Sequence, residues 1–188
     1  MFEQPFRQVA ALLVLLWPLA PTAAPAGLPH YTVATDERLE HLDVRVCFEG
    51  SAPRRLTARN ERAPELLRAA RLHSGDDVVE LQPHGATLAL PAAGAAACLE
   101  YRVDLSAVGK RQWRSGNWRT RDALVLDPAL WLWYPDGLPE DVSWRLDFEL
   151  PPGFDVSAPW HRRDRAGRTV SYEVRERMPG WESRMAIG

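Results

Sequence analysis

The chain has 188 residues, and Lys110 is its only lysine among 23 basic residues. With Ala and Pro plentiful as well, this scarcity reads as the codon bias of a GC-rich genome. The formal net charge of -2 supplies no electrostatic reason to bind nucleic acid or an anionic membrane surface. Catalytic signatures are also missing. None of the five histidines, His30, His41, His73, His84 and His161, belongs to an HExxH sequence, and no two are spaced as a local zinc pair. There is no G-x-S-x-G elbow, Walker loop or Gly-rich dinucleotide fingerprint. The paired acids Asp76-Asp77 and Glu140-Asp141 fall among turn formers, where solvated carboxylates are ordinary. A hydrolase built on scattered acids is the reading this leaves least room for.

Long apolar runs are scarce too. The longest, Val9 to Trp17, is too short for a membrane span of about 20 residues, but it suits the apolar centre of a secretory signal. Arg7 precedes it, and Ala24 and Ala26 stand at the small-residue positions of an A-x-A cleavage site. Residues 1–26 are therefore expected to be a signal peptide, with the mature chain starting at Gly27. An uncleaved anchor is the competing reading, and Pro18, Pro21 and Pro25 interrupt it. Cleavage leaves about 160 residues, the size of one domain, with no further segment apolar enough to cross a membrane. The expected location is the periplasm or exterior of a bacterium. Hydrophobic content of 46% is enough for a real core.

Only two cysteines are present, Cys47 and Cys98, with no histidine near enough in sequence to complete a metal site. Each lies on the polar side of an alternating stretch, Leu42–Phe48 and Cys98–Leu105. If the cysteines face one another in an antiparallel pair, Arg45 lies opposite Glu100, Asp43 opposite Arg102 and His41 opposite Asp104. On the other face Val46 meets Leu99 and Val44 meets Tyr101. A parallel pair would set Glu49 against Glu100, and facing like charges are unfavourable. The antiparallel register with a Cys47–Cys98 disulfide is thus the expectation for an exported chain. Two free thiols are the alternative.

Short strands punctuated by turn formers are read at Tyr31–Thr35, Glu37–Phe48, Arg54–Ala58, Val78–Leu81, Thr87–Leu90, Leu124–Leu126, Leu130–Tyr134, Val142–Leu150, Val156 and Thr169–Val174. His84-Gly85 reads as a hairpin turn, and 109–121 as a long polar loop. One short helix is expected at about 64–73, opened by Pro64 and stopped by Gly75. The pattern implies a mostly β single domain over 27–188, an antiparallel β-sandwich of two packed sheets. The chain carries eight tryptophans. Trp131 and Trp133, with Tyr134 and Trp160, form a candidate ligand surface for a peptide or sugar. Burial of both faces of that stretch is the opposing reading.

Cys98-Leu99-Glu100-Tyr101-Arg102-Val103, then a long loop, then Leu146-Asp147-Phe148-Glu149-Leu150-Pro151-Pro152-Gly153-Phe154-Asp155-Val156 and Trp160, resembles the N-terminal β domain of the glycyl aminopeptidase-type zinc metallopeptidases. These form metallopeptidase family sixty-one, a gluzincin-like group, and related N-terminal domains occur in other gluzincin aminopeptidases. The resemblance implies a non-catalytic β domain that frames or supports a peptide-binding cleft and packs on a zinc-bearing catalytic domain. It assigns no catalytic residue, metal ligand or cofactor here, because the HExxH helix of the family has no counterpart in this sequence. Zinc aminopeptidase activity would require a downstream HExxH domain. Met185-Ala186-Ile187-Gly188 resembles the strand leading into that domain, so the sequence is expected to be the N-terminal part of a longer peptidase. A stand-alone periplasmic binding module using its aromatic surface is the other function to weigh.

Overall fold

Apolar residues at every second position set the framework. In β2 (His41–Glu49) Leu42, Val44, Val46 and Phe48 are buried, while Asp43, Arg45 and Cys47 point outward. The structure, a computed structural model, describes residues 27–93, 96–109, 116–138, 141–175 and 183–188. The expected signal peptide at 1–26 and Glu140 of one acid pair lie outside these residues. β7 (Cys98–Asp104) and β1 (Leu28–Thr35) repeat the alternation and pair with β2 on either side.

These strands form the middle of an eight-stranded sheet. Its order is β13 (His161–Ala166), β14 (Thr169–Val174), β11 (Trp144–Glu149), β1, β2, β7, β4 (Leu67–Ser74) and β5 (Asp77–Leu81). Two smaller sheets cover its apolar face. One runs β10 (Trp133–Pro135), β3 (Arg55–Ala58), β6 (Thr87–Ala89). The other runs β12 (Val156–Ser157), β15 (Met185–Ile187), β9 (Leu124–Leu126), β8 (Trp118–Arg119). A single apolar core fills the space between the layers, with Tyr31, Phe148, Leu56 and Ile187 contributed by all three sheets. The molecule is the mostly β sandwich expected, its second layer split in two.

The register read from the cysteines holds along the whole β2–β7 ladder: Cys47 faces Cys98, Arg45 faces Glu100, Asp43 faces Arg102 and His41 faces Asp104. Other local expectations need correction. The helix extends only over Ala63–Leu66, and Leu67–Ser74 is a strand paired with both β7 and β5. A bulge between Arg68 and Arg71, with Ala69 at φ 50, shifts the strand's alternation by one residue. That shift buries Leu67 and Ala70 on one face, and with Leu66 buried at the end of the preceding helical turn the spacing mimics a helix face. Val78–Leu81 and Thr87–Leu90 are not partners across His84-Gly85. β5 turns back on β4, β6 joins β3, and only a single bridge links His84 to Thr87.

Leu130–Tyr134 is not one strand, because Asp127 caps a 3-10 turn at Pro128–Leu130 and extended structure resumes at Trp133. Part of the expected loop, Trp118–Arg119, forms the edge strand β8. β1 and β11 run parallel, His30 beside Arg145 and Val33 beside Phe148, so the large sheet is mixed rather than wholly antiparallel. Parallel neighbours need a long crossover, and here all the chain from β2 to β10 lies between them.

Candidate functional site

The aromatic stretch of Trp131 to Tyr134 runs beneath the large sheet. Trp131, Leu132 and Trp133 are all 0% exposed, and this corrects the surface reading for both tryptophans. The large sheet grips their backbone. From β1 the Tyr31 hydroxyl donates to the Trp133 carbonyl at 2.5 Å, and from β7 the Tyr101 hydroxyl donates to the Trp131 carbonyl at 3.0 Å. Burial pushes both phenols well above their usual pKa, so they remain donors throughout the ordinary pH range. The Trp131 indole N–H donates to Met185 Sδ at 3.0 Å, and its ring meets Phe148 and Trp160 edge-on. Alternation along a strand could not reveal this, because here both faces of the segment are covered. The Trp133 indole nitrogen is buried with no hydrogen-bond partner among the described residues.

Tyr134 and Trp160 are partly buried. Arg59 lies 4.5 Å above the Tyr134 ring, and Trp144 meets that ring edge-on. Trp160 lines a shallow hollow of about 450 Å³ with Val156, Tyr172, Ile187 and the Asp155–Arg162 ion pair. The four aromatics therefore do not form one platform: two are core, and the other two hold separate positions at its margin.

The outer face of the large sheet is polar. A groove of about 720 Å³ crosses it, lined by Thr32, Arg45, Cys47, Arg71, Glu100 and Arg102. Its charges are matched internally, since Arg102 bonds Asp43 at 2.7 Å and Arg45 and His73 both approach Glu100. Cys47 and Cys98 are joined here by a disulfide, as the register demands. Arg102, paired to Asp43, is held above its usual pKa.

Among the described residues, two polar groups on this face are buried, Asp147 and Ser171. Asp147, 6% exposed, accepts from Arg145 Nε at 2.8 Å, Ser171 Oγ at 2.7 Å and His30 Nε2 at 2.9 Å. Burial alone would raise its pKa. The Arg145 guanidinium, the Ser171 hydroxyl and the His30 ring together hold it below the usual carboxylate range. Neither the network nor its members stood out in the sequence. The available signal was Arg145 two residues before Asp147 on a strand; Ser171 comes opposite Asp147 only through the antiparallel pairing of β11 with β14, which are separated in the chain by β12 and β13. The chemistry it can perform is limited. Nucleophilic activation needs a base between hydroxyl and carboxylate. Here the carboxylate stands between serine and histidine, and its low pKa makes it a poor base. Among the described residues, no group of three or more His, Cys, Asp or Glu side chains is placed to hold a metal ion. No helix among them is long and apolar enough to cross a membrane.

No protein-family model matches the sequence, and no curated protein matches it. Solved structures do resemble the fold. The aminopeptidase N family protein of Idiomarina loihiensis superposes with a TM-score of 0.67 at 12% identity, over 86% of this chain and 29% of that one. Native yeast LTA4 hydrolase gives 0.52 at 12% identity, over 87% and 29%. A structure of native leukotriene A4 hydrolase from Saccharomyces cerevisiae gives 0.51 at 12% identity, over 86% and 29%. At such identity the likeness is one of fold, and this chain spans under a third of each of those proteins. Its fold is that of the N-terminal β domain of these aminopeptidase-type enzymes.

Proposed function

We propose that this chain is a non-catalytic N-terminal β domain of an exported, metallopeptidase-like protein, and that it frames or supports a peptide-binding cleft beside a zinc-bearing catalytic domain. The observation that carries this reading is the superposition itself: 86% of this chain corresponds to 29% of an aminopeptidase N family protein. The domain thus resembles one part of a larger architecture. Its own polar groups favour a supporting role. The outer-face charges neutralise one another, and in the Asp147 network, which joins β1, β11 and β14, the group beside the Ser171 hydroxyl is a carboxylate of lowered pKa and so a poor base. Zinc enters only through the proposed catalytic domain.

Export is part of the proposal. The sequence of 1–26 has the form of a signal peptide, and a disulfide between β2 and β7 suits an oxidising compartment. Expression of the full chain in a bacterium should yield periplasmic protein whose first residue is Gly27. Cytoplasmic protein retaining Met1 would refute export.

The peptidase part has a separate test. An antibody to this domain is used to isolate the native product, which is then sequenced by mass spectrometry. The expected result is an HExxH-containing segment, either in the same polypeptide or in an equimolar partner. Recovery of this domain with no such companion would refute the supporting role.

A further inference from the structure

The eight-stranded sheet ends in two strands of opposite character. All six residues of β13 are exposed, Arg162, Arg163, Asp164 and Arg165 are charged, and a bulge between Arg162 and Asp164 breaks its ladder. Charges and bulges of this kind keep other strands from adding to an edge. β5 is the other edge. Asp77–Leu81 runs in unbroken register along β4, with neither bulge nor proline. It leaves Val78 54% exposed and Val79 42% exposed, two of the four large apolar side chains that are exposed among the described residues.

The turn determines which backbone groups β5 offers. Ser74 and Asp77 close a two-residue hairpin whose first turn residue, Gly75, has φ 61, the glycine position of a type II′ turn. The closing pair of such a hairpin exchanges hydrogen bonds, and bonded pairs then alternate with unbonded ones. Leu72–Val79 and Ala70–Leu81 are therefore bonded pairs. Val78 and Glu80, opposite His73 and Arg71, aim their N–H and C=O groups away from β4. No strand among the described residues pairs with that side.

We propose that β5 joins two copies of this chain, each adding its β5 antiparallel to the other about a two-fold axis through Val79, so that one sheet continues across both. The charges on the strand select this arrangement. A two-fold axis through Glu80 would oppose that carboxylate to its own copy, and one through Val78 would set Asp76 against the partner's Glu80. With the axis at Val79, Val78 faces the partner's Glu80, Asp77 faces the partner's Leu81, and Val79 faces its equivalent. No like charges are opposed. This is also the register in which Val78 and Glu80 exchange all their outward backbone bonds. Glu80 keeps Arg71 as its counter-ion, 3.3 Å away, when the partner's Val78 covers it. Pro83 falls opposite the turn at Gly75, where the shared ladder would end in any case.

The experiment uses the exported full chain, independently of any peptidase partner. Sedimentation velocity should find a dimer, and Val79→Lys, which brings two ammonium groups together on the axis, should weaken it about tenfold or more. Far-UV circular dichroism checks that this variant stays folded, as the exposure of Val79 leads one to expect. Val79→Cys should form a disulfide-linked dimer under mild oxidation. Val78→Cys should not, because its equivalent lies two residues away along the partner strand. A monomeric wild-type protein, a dimer that survives Val79→Lys, or equal crosslinking by the two cysteine variants would overturn the proposal. So would recovery of β5 paired with a different polypeptide.

Discussion

The same strands give the large sheet two unlike faces. Inward, Tyr31, Val33, Val44, Val46, Leu99, Tyr101, Leu146 and Phe148 are at most 3% exposed. Outward, Asp43, Arg45, Glu100 and Arg102 stand half in water, in ion pairs that each contribute little. The contrast teaches where stability and specification reside. Complete burial of one large apolar side chain is worth about 1.5–3 kcal/mol, against roughly 0–1 kcal/mol for an exposed ion pair. The outer face acts differently. Its opposed charges and its disulfide select one register of β2 on β7, and a slip of one residue would turn the whole inner set outward.

Substitutions on the two faces should separate these roles. The largest effect belongs inside: Trp131→Ala or Trp133→Ala should cost about 3–5 kcal/mol each, read from urea unfolding followed by circular dichroism. Since a whole domain is stable by only about 5–15 kcal/mol, the double variant should lose most or all of its stability. A double variant as stable as the unsubstituted chain would move these rings out of the core. Next comes the disulfide, which spans a separation of 51 residues. Replacing both cysteines by alanine should cost about 2–4 kcal/mol in thermal melts, the largest loss available on the outer face.

Asp147→Asn should follow, at about 2 kcal/mol near neutral pH, because it removes charged hydrogen bonds from a buried site. The pH dependence has a definite sign. The folded-state pKa of Asp147 is depressed, so its contribution is present above the ordinary carboxylate value of about 4 and is lost as pH falls from there toward the depressed value. The asparagine variant should lack that part of the acid-induced decline; an unchanged acid limb would remove Asp147 as its source. Arg102→Ala should be smallest, within about 1 kcal/mol and smaller still in high salt. A loss rivalling that of a core tryptophan would erase the difference between the faces.

The same contrast explains what could be read in the sequence. β2 and β7 were legible because one face is apolar, the other polar, and each carries a cysteine. β13 left no trace, since a strand with every residue exposed has no alternation to detect. The bulge at Ala69 turned a strand into an apparent helix. The parallel neighbours β1 and β11 meet only through tertiary assembly, and the Asp147 network depends on that meeting, because His30 comes from β1. At Trp131–Trp133 the difficulty was reversed: with both faces buried, no alternation distinguishes a platform from a core.

The proposed supporting role is tested most directly by hydrolysis of aminoacyl amide and short peptide substrates by the purified mature chain, with and without added zinc. The account predicts no turnover above buffer in either condition. Zinc-dependent or zinc-independent hydrolysis that disappears in a folded Asp147→Asn variant would contradict it, since it would place an active site at Asp147, the one buried carboxylate of the outer face among the described residues.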